Sequence, residues 1–284
     1  RPLRDIRFWW ADEIYSEYRY FSDHPEESKN MLAALNQDMT GANLATGDRV
    51  QHLILAPHSR TSFLDATFES IGTFMIQTNT AYLAASRGSS SPRTFTRPLF
   101  STRGTHQGYN ARFVPWFGSS DHIVFLEQGV QREVRALKSS RAFVRSNKAA
   151  AQTIDDLVER MEEKQEELTA DLQAYYRRLH GSKPNSTKLS PEEIAASKKV
   201  PANVASVATY FQNRMRGGPQ TNLHYLMRSE VFNFVDGKRS VYDIYKAVFA
   251  EAAAAGSWYY GTVTLQDVST VLDAAVKAEA LVMK

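Results

Sequence analysis

The sequence of 284 residues contains no cysteine, and this absence limits the chemistry that it can perform. Disulfides, thiolate zinc ligands and a cysteine nucleophile are excluded for these residues. A metal ion would have to be bound by Asp, Glu and His side chains, a ligand set that suits a catalytic zinc site.

The sequence also lacks a long apolar run and a strong excess of charge. No run approaches the roughly 20 residues that a membrane-spanning helix needs, so no membrane span is expected. The formal net charge of +3 is close to balance and argues against a nucleic-acid partner. The apolar fraction of 43% and the charged fraction of 23% are ordinary for a globular protein with a sizeable core.

Residue 1 is Arg, and neither an initiator Met nor a signal peptide is visible in the sequence. It leads almost at once into a strand-like run in which Ile6, Phe8 and Trp10 alternate with Arg7 and Trp9. A buried strand is an unusual place for a domain to begin. We therefore expect part of the natural polypeptide to lie upstream.

The first half of the sequence alternates between strand and helix patterns. Strands are predicted over about residues 5–11, 33–39 and 50–56, with a helix after the first strand and a long helix over 60–86 after the third. A strand, helix, strand order is typical of a right-handed crossover in a parallel sheet. The long loop over 87–110 is rich in Ser, Thr, Gly and Arg and is expected to line a site.

After Val130 the alternation of strand and helix patterns gives way to helical patterns. Apolar residues between Ile154 and Leu179 step by four and three, which predicts a heptad seam on a charged helix that stops at Gly181. Two interpretations stay open: an amphipathic helix on its own domain, or an antiparallel hairpin or dimer contact through residues 154–179. A polar linker follows over 181–201.

The tail from about Asn203 predicts a small helical module that resembles a winged helix. Asp236-Gly237 is expected to reverse the chain, and Ser240 and Thr264 are expected to begin the next two helices. The apolar stripes that follow them, listed here, are expected to face inward: Val241, Ile244, Tyr245, Val248, Phe249, Val268, Val271, Leu272, Ala275 and Val276. Basic residues in the tail are few and acids about as many, which argues against DNA binding.

Three stretches in the first half end in polar or acidic residues. They are Arg7-Phe8-Trp9-Trp10-Ala11-Asp12-Glu13, Leu35-Asn36-Gln37-Asp38-Met39-Thr40-Gly41 and Phe117-Gly118-Ser119-Ser120-Asp121-His122. In that order they resemble motifs of the two-zinc aminopeptidases, a family related to glutamate carboxypeptidase and the transferrin receptor ectodomain. The resemblance covers about residues 3–130 well and the tail loosely.

The resemblance implies an α/β fold: a three-layer α/β/α domain with a mostly parallel sheet, followed by a long helix and a small all-helical or winged-helix-like C-terminal module. The corresponding division is 1–150 for part of the catalytic domain, 151–201 for the long helix and linker, and 202–284 for the module. Such an enzyme places its site at the carboxyl ends of the strands.

The resemblance also implies roles for individual residues. Glu13 is the candidate general base, Asp38 a zinc ligand, and Asp121 and His122 part of the turn that shapes the substrate pocket. Up to two zinc ions are expected. Zinc lowers the pKa of a bound water from about 16 toward 7, and a carboxylate then takes the proton.

The sequence departs from the family pattern at several points. Asp12 is an alternative base, with Glu13 as a ligand, and the first zinc His, the bridging Asp and the last zinc His have no counterpart. Either the 284 residues are a partial record of a longer active enzyme, or the protein is a degenerate relative. His24, His52, His58 and His106 are conceivable substitute ligands, although surface or capping roles are the better expectation for each.

The expected function is a zinc-dependent exopeptidase, a metallo-aminopeptidase that hydrolyses peptide substrates with a metal-activated water. The alternative is a catalytically inactive peptidase-like scaffold or binding protein that acts through its helical C-terminal part. The compartment is not determined by the sequence, and the resemblance favours a secreted or periplasmic protein. A homo-oligomer through the 154–179 helix is the partner interaction that the seam suggests.

Overall fold

The computed structural model describes residues 5–10, 15–35, 51–53, 58–78, 100–102, 121–144, 146–182, 189–204, 206–214, 221–255 and 260–284. About 70% of these residues are helical, and their strands form two separate pairs. The predicted three-layer α/β/α fold with a mostly parallel sheet is therefore wrong for the described part of the chain. Each described strand has three residues and one partner, which is too little sheet for helices to cover on two faces.

The amino-terminal segment is not the buried strand that the alternation predicted. Residues 5–10 form no strand, and Ile6, Phe8 and Trp10 are 65%, 84% and 93% exposed. Trp9 instead packs its ring on Tyr20 and on the neighbouring Phe21. Without a hydrogen-bonded neighbour among the described residues, alternation alone does not make this segment a strand. The next elements are α1 (Tyr15–Asp23) and the single turn α2 (Glu27–Asn30).

A short parallel pair joins β1 (Gln51–Leu53) to β2 (Phe100–Thr102), with Gln51 opposite Phe100. β1 lies within the strand predicted over 50–56, and that prediction is confirmed for these three residues. A 3-10 turn, His58–Arg60, then leads into α3 (Phe63–Thr78), which lies within the helix predicted over 60–86, and residues 79–86 of that prediction lie outside the described residues. Ser62 begins α3: its hydroxyl accepts from the Leu64 N–H, and the Asp65 carboxylate accepts from the Ser62 N–H.

Helices α4 (Asp121–Ser140) and α5 (Lys148–His180) pack along each other after a short connection that reverses the chain. Asn147 caps α5, and Gly181 ends it in the left-handed conformation with φ of 70°. The seam of α5 makes the contact with α4, so an antiparallel hairpin is observed. The packed side chains are Leu126, Val130, Val134, Leu137, Val158, Met161, Leu168 and Leu172.

The rest of the chain forms a compact helical core. Its elements are α6 (Pro191–Ser197), β3 (Pro201–Asn203), α7 (Val207–Arg214), α8 (Tyr225–Asn233), α9 (Val241–Ala255), α10 (Leu265–Lys277) and β4 (Leu281–Met283). β3 and β4 pair antiparallel, with Ala202 opposite Val282. The predicted inward residues Val241, Ile244 and Val248 of α9 are buried, as are Val268, Val271 and Leu272 of α10.

The turns of this core follow the predicted chemistry. Gly237 takes a φ of 75°, and the Asp236 carboxylate accepts from the N–H groups of Lys238 and Arg239. The Ser240 hydroxyl accepts from the Asp243 N–H at 3.1 Å, and the Thr264 hydroxyl accepts from the Asp267 N–H at 3.1 Å. These caps begin α9 and α10 where the sequence predicted. None of the described helices is both long and apolar enough to cross a membrane.

Candidate functional site

The four predicted site residues fall in two groups. Glu13, the alternative base Asp12 and Asp38 lie outside the described residues. Asp121 and His122 are the first two described residues of α4, and the turn predicted before them lies outside the described residues. The structure does not describe the distance from the Asp121-His122 pair to Glu13 or Asp38.

The described residues do not form a metal site. No group of three or more His, Asp or Glu side chains comes together among them in a way that could hold a metal ion. His24 is exposed and packs its ring on Tyr20, whereas His58 is fully buried. The expected surface or capping role is therefore wrong for His58, whose burial follows from its contacts with α4 and with the C-terminal core.

Buried polar side chains meet where α4 approaches the C-terminal core. We refer to His58, Gln128, Arg135, Glu230 and Glu251 as the polar cluster. Gln128 and Arg135 come from α4, Glu230 from α8 and Glu251 from α9. His58, Glu230 and Glu251 are at most 1% exposed, and Gln128 is 4% exposed. Burial on this scale is rare for ionisable side chains unless they are paired or neutral.

His58 lies between α4 and the core. Its Nε2 atom is 3.5 Å from the Gln128 side-chain oxygen, and its backbone carbonyl accepts a 2.9 Å hydrogen bond from the Arg135 guanidinium. The ring meets Phe234 edge to face at 5.4 Å. Burial, with the nearby positive charge of Arg135 as the next cause, holds the pKa of His58 well below its ordinary value. His58 is therefore a neutral imidazole at neutral pH.

Glu230 joins α8 to the turn that contains His58. Its carboxylate accepts hydrogen bonds from the Ser59 hydroxyl at 2.9 Å, from the Ser59 N–H at 3.2 Å and from the Asn233 side-chain amide at 2.8 Å. Three donors on one buried carboxylate replace much of the hydration that it loses on folding. The Ser59–Glu230 contact links residues that are 171 positions apart in the sequence.

The environment of the Glu251 carboxyl group differs from that of Glu230, because no hydrogen-bond donor among the described residues satisfies it. Neither of its carboxyl oxygens has a hydrogen-bond donor within reach in the described structure, and the side chain is fully buried. Burial, reinforced by the Glu230 carboxylate, raises the pKa of Glu251 well above its ordinary value. A protonated Glu251 can donate a hydrogen bond to the Glu230 carboxylate, which explains how two acids share one part of the core.

Arginines supply positive charge beside these acids. Arg135 and Arg239 both place their guanidinium groups near the Phe234 ring, at 6.0 and 5.5 Å from its centre. Arg132 and Arg135 partly offset the rise in the pKa of Glu251. The cluster therefore combines an imidazole with a lowered pKa, a hydrogen-bonded carboxylate, an acid with a raised pKa and a guanidinium. Four of its members are buried and Arg135 is half-buried, so this arrangement is suited to fixing α4, α8, α9 and the 58–60 turn relative to one another.

The sequence contained one indication of this cluster. In α9 the residues after Ile244 and Val248 on the buried stripe fall at 251 and 252, so Glu251 occupies a core position by spacing alone. In the same way Glu230 follows Met227 by three positions and precedes the buried Val231. An acid on an apolar stripe indicates a buried partner, although the spacing cannot identify Ser59 or His58 as that partner.

Comparison with known proteins identifies no relative of this chain. No protein-family model, curated protein or solved structure matches this chain.

Proposed function

We propose that the chain is a zinc-dependent exopeptidase that releases amino-terminal residues from peptides. The observation that supports this proposal is the ordered set of three motifs around Glu13, Asp38 and Asp121-His122, which resembles the two-zinc aminopeptidases. Asp121 and His122 belong to α4, and the other residues of the three motifs that carry the proposed chemistry lie outside the described residues. The described residues contribute no metal ligand group of their own, so the proposal depends on Glu13 and Asp38.

Each proposed residue has a defined task. Glu13 takes a proton from the attacking water and returns it to the leaving amine, which is the task of a general base and acid at a peptide bond. Asp38 is a zinc ligand, and Asp121 and His122 contact the substrate. Bound zinc would supply the lowered pKa of the water and the polarisation of the scissile carbonyl.

A direct test compares two carboxylates that are close in sequence. Glu13→Gln keeps the size of the side chain and removes the proton acceptor, so we expect turnover of an amino-acid 4-nitroanilide to fall by at least about a hundredfold. Zinc content should stay the same. Glu17→Gln is the matched control, because Glu17 is an exposed residue of α1, and it should retain wild-type turnover. Wild-type hydrolysis by Glu13→Gln would rule out this base.

A second function, a binding or assembly scaffold, is favoured by the length and the exposed leucines of α5. This helix has 33 residues, and the side chains packed against α4 end at Leu172. Leu179 in its last turn is 56% exposed, and Leu157 is 40% exposed. A scaffold would bind no zinc and would not hydrolyse peptides. Sedimentation that depends on protein concentration and is altered by Leu179→Gln would support it.

A further inference from the structure

The polar cluster ties the third motif to the C-terminal core through contacts on both sides of the 58–60 turn. On one side, Glu230 of α8 holds Ser59 by two hydrogen bonds, from its N–H and from its hydroxyl. On the other side, Arg135 of α4 donates to the His58 carbonyl at 2.9 Å, and Gln128 of α4 lies 3.5 Å from the His58 ring. The turn is thus a bridge between the core and α4.

The bridge reaches α4 close to its beginning. Gln128 lies seven residues after Asp121, which is about two helical turns or 10 Å along the axis. Lys246 of α9 adds a second contact near this point, with its Nζ atom 3.9 Å from the Glu127 carboxylate. Gln128 and Glu127 lie within the first two described turns of α4, so contacts at these residues restrain the end of the helix to which residues 121 and 122 belong.

The chemistry of the bridge favours an orienting task over simple burial. Apolar contacts tolerate sliding, whereas a carboxylate that accepts two bonds from Ser59 fixes both the distance and the direction of the turn.

We propose that Glu230 is a positioning residue for the candidate site, acting through Ser59 and His58 on α4 and so on Asp121 and His122. This inference rests on the proposed function in so far as it concerns catalysis. By this inference the C-terminal core contributes to catalysis in the exopeptidase. Glu230 belongs to that core and acts through other residues, without touching the substrate.

The test uses the full chain and four variants. Ser59→Ala and Glu230→Gln each weaken the bridge, Ser59→Thr keeps the hydroxyl, and Thr264→Ala removes a helix cap in the same core far along the chain from the bridge. We expect Ser59→Ala and Glu230→Gln to lower kcat/KM for an amino-acid 4-nitroanilide at least tenfold. Ser59→Thr and Thr264→Ala should stay within threefold of wild type.

Amide hydrogen exchange separates this inference from the proposed function. Exchange at residues 125–128, the first amides of α4 with an acceptor within the described helix, should be at least tenfold faster in Ser59→Ala and Glu230→Gln than in Thr264→Ala. If the wild-type protein hydrolyses nothing, the proposed function fails, and the exchange measurement still decides whether Glu230 orders the beginning of α4. Unchanged exchange at 125–128 in both bridge variants, or an equal effect of Thr264→Ala, would overturn the inference.

Discussion

The Ser59 hydroxyl donates a 2.9 Å hydrogen bond to the buried carboxylate of Glu230, 171 residues further along the chain. Around this contact His58 is neutral, Glu251 is protonated, and Arg135 reaches across from α4. These groups lie between helices whose own packing is apolar. The ionisation of the cluster should therefore be measurable as a dependence of folding stability on pH.

Glu251→Gln should stabilise the protein at neutral pH. The pKa of Glu251 is raised in the folded state, so its stabilising contribution is complete below the unfolded pKa of about 4.3 and is lost as pH rises through the folded pKa. Glutamine avoids this loss because it does not ionise. We expect the variant to match wild type near pH 4 and to exceed it by about 1.4 kcal/mol or more at pH 8.

Urea unfolding at a series of pH values measures this difference. Glu159→Gln is a suitable control, because Glu159 is an exposed residue of α5 and its removal should leave the pH dependence as in wild type. A Glu251→Gln variant that tracks wild type from pH 4 to pH 8 would contradict the assignment of Glu251 as a protonated acid.

His58→Gln should reduce the loss of stability at acidic pH. The pKa of His58 is lowered in the folded state, so its contribution is complete above the unfolded pKa of about 6.5 and is lost as pH falls from there. The variant is expected to be less stable than wild type at pH 7.5 by about 1–3 kcal/mol, because Gln fills the site imperfectly. That deficit should shrink toward pH 5.

Thermal unfolding between pH 5 and pH 7.5 gives the comparison. His24→Gln serves as the control, since His24 is exposed and its replacement should not change the slope. If His58→Gln and His24→Gln show the same slope, His58 does not titrate below its ordinary range and its assignment as a buried neutral imidazole is wrong.

Val158→Ala should destabilise the α4–α5 hairpin, whereas Leu157→Ala next to it should not. Val158 is 7% exposed and packs against α4, and Leu157 is 40% exposed. Removing two buried methyl groups is expected to cost about 1.5–3 kcal/mol, and the exposed change less than about 0.5 kcal/mol. Urea midpoints for the two variants check this, and a larger loss for Leu157→Ala than for Val158→Ala would contradict the assignment of Val158 as a core residue of the hairpin.

Local chemistry accounts for the parts of the fold that the sequence predicted. Gly181 ends α5, Gly237 reverses the chain, and Ser240 and Thr264 cap helices, because each of these needs only its near neighbours. The inward stripes of α9 and α10 follow from helical spacing in the same way. For these turns, caps and helix faces, the sequence was sufficient to predict the local structure.

Long-range partners account for the errors. The run from Ile6 to Trp10 has the alternation of a strand, but a strand forms only with a neighbour, and none of the described residues pairs with it. The α/β/α prediction extended that local pattern to a whole sheet. His58 was expected at the surface because neither Glu230 nor Arg135 can be identified as a neighbour of its turn from sequence spacing.

The predictions for the candidate site also divide into local patterns, which the sequence identifies, and long-range contacts, which it does not. The apolar residues after Asp121 were predicted to form a helix or strand, and residues from Asp121 onward do belong to α4, since helical spacing is a local pattern. The roles of Glu13 and Asp38 come from resemblance and remain predictions. The polar cluster was missed because its contacts join four separate segments of the chain.

Zinc content is the most direct test of the central claim that this chain uses zinc at Asp38. Wild-type protein and Asp38→Asn would be purified in parallel, equilibrated with zinc, freed of excess ion and measured for bound zinc per chain. Asp23→Asn, an exposed change at the end of α1, is the control. The proposal predicts one or two zinc ions in wild type and in the control, and fewer in Asp38→Asn. No bound zinc in wild type, or equal zinc in all three proteins, would contradict it.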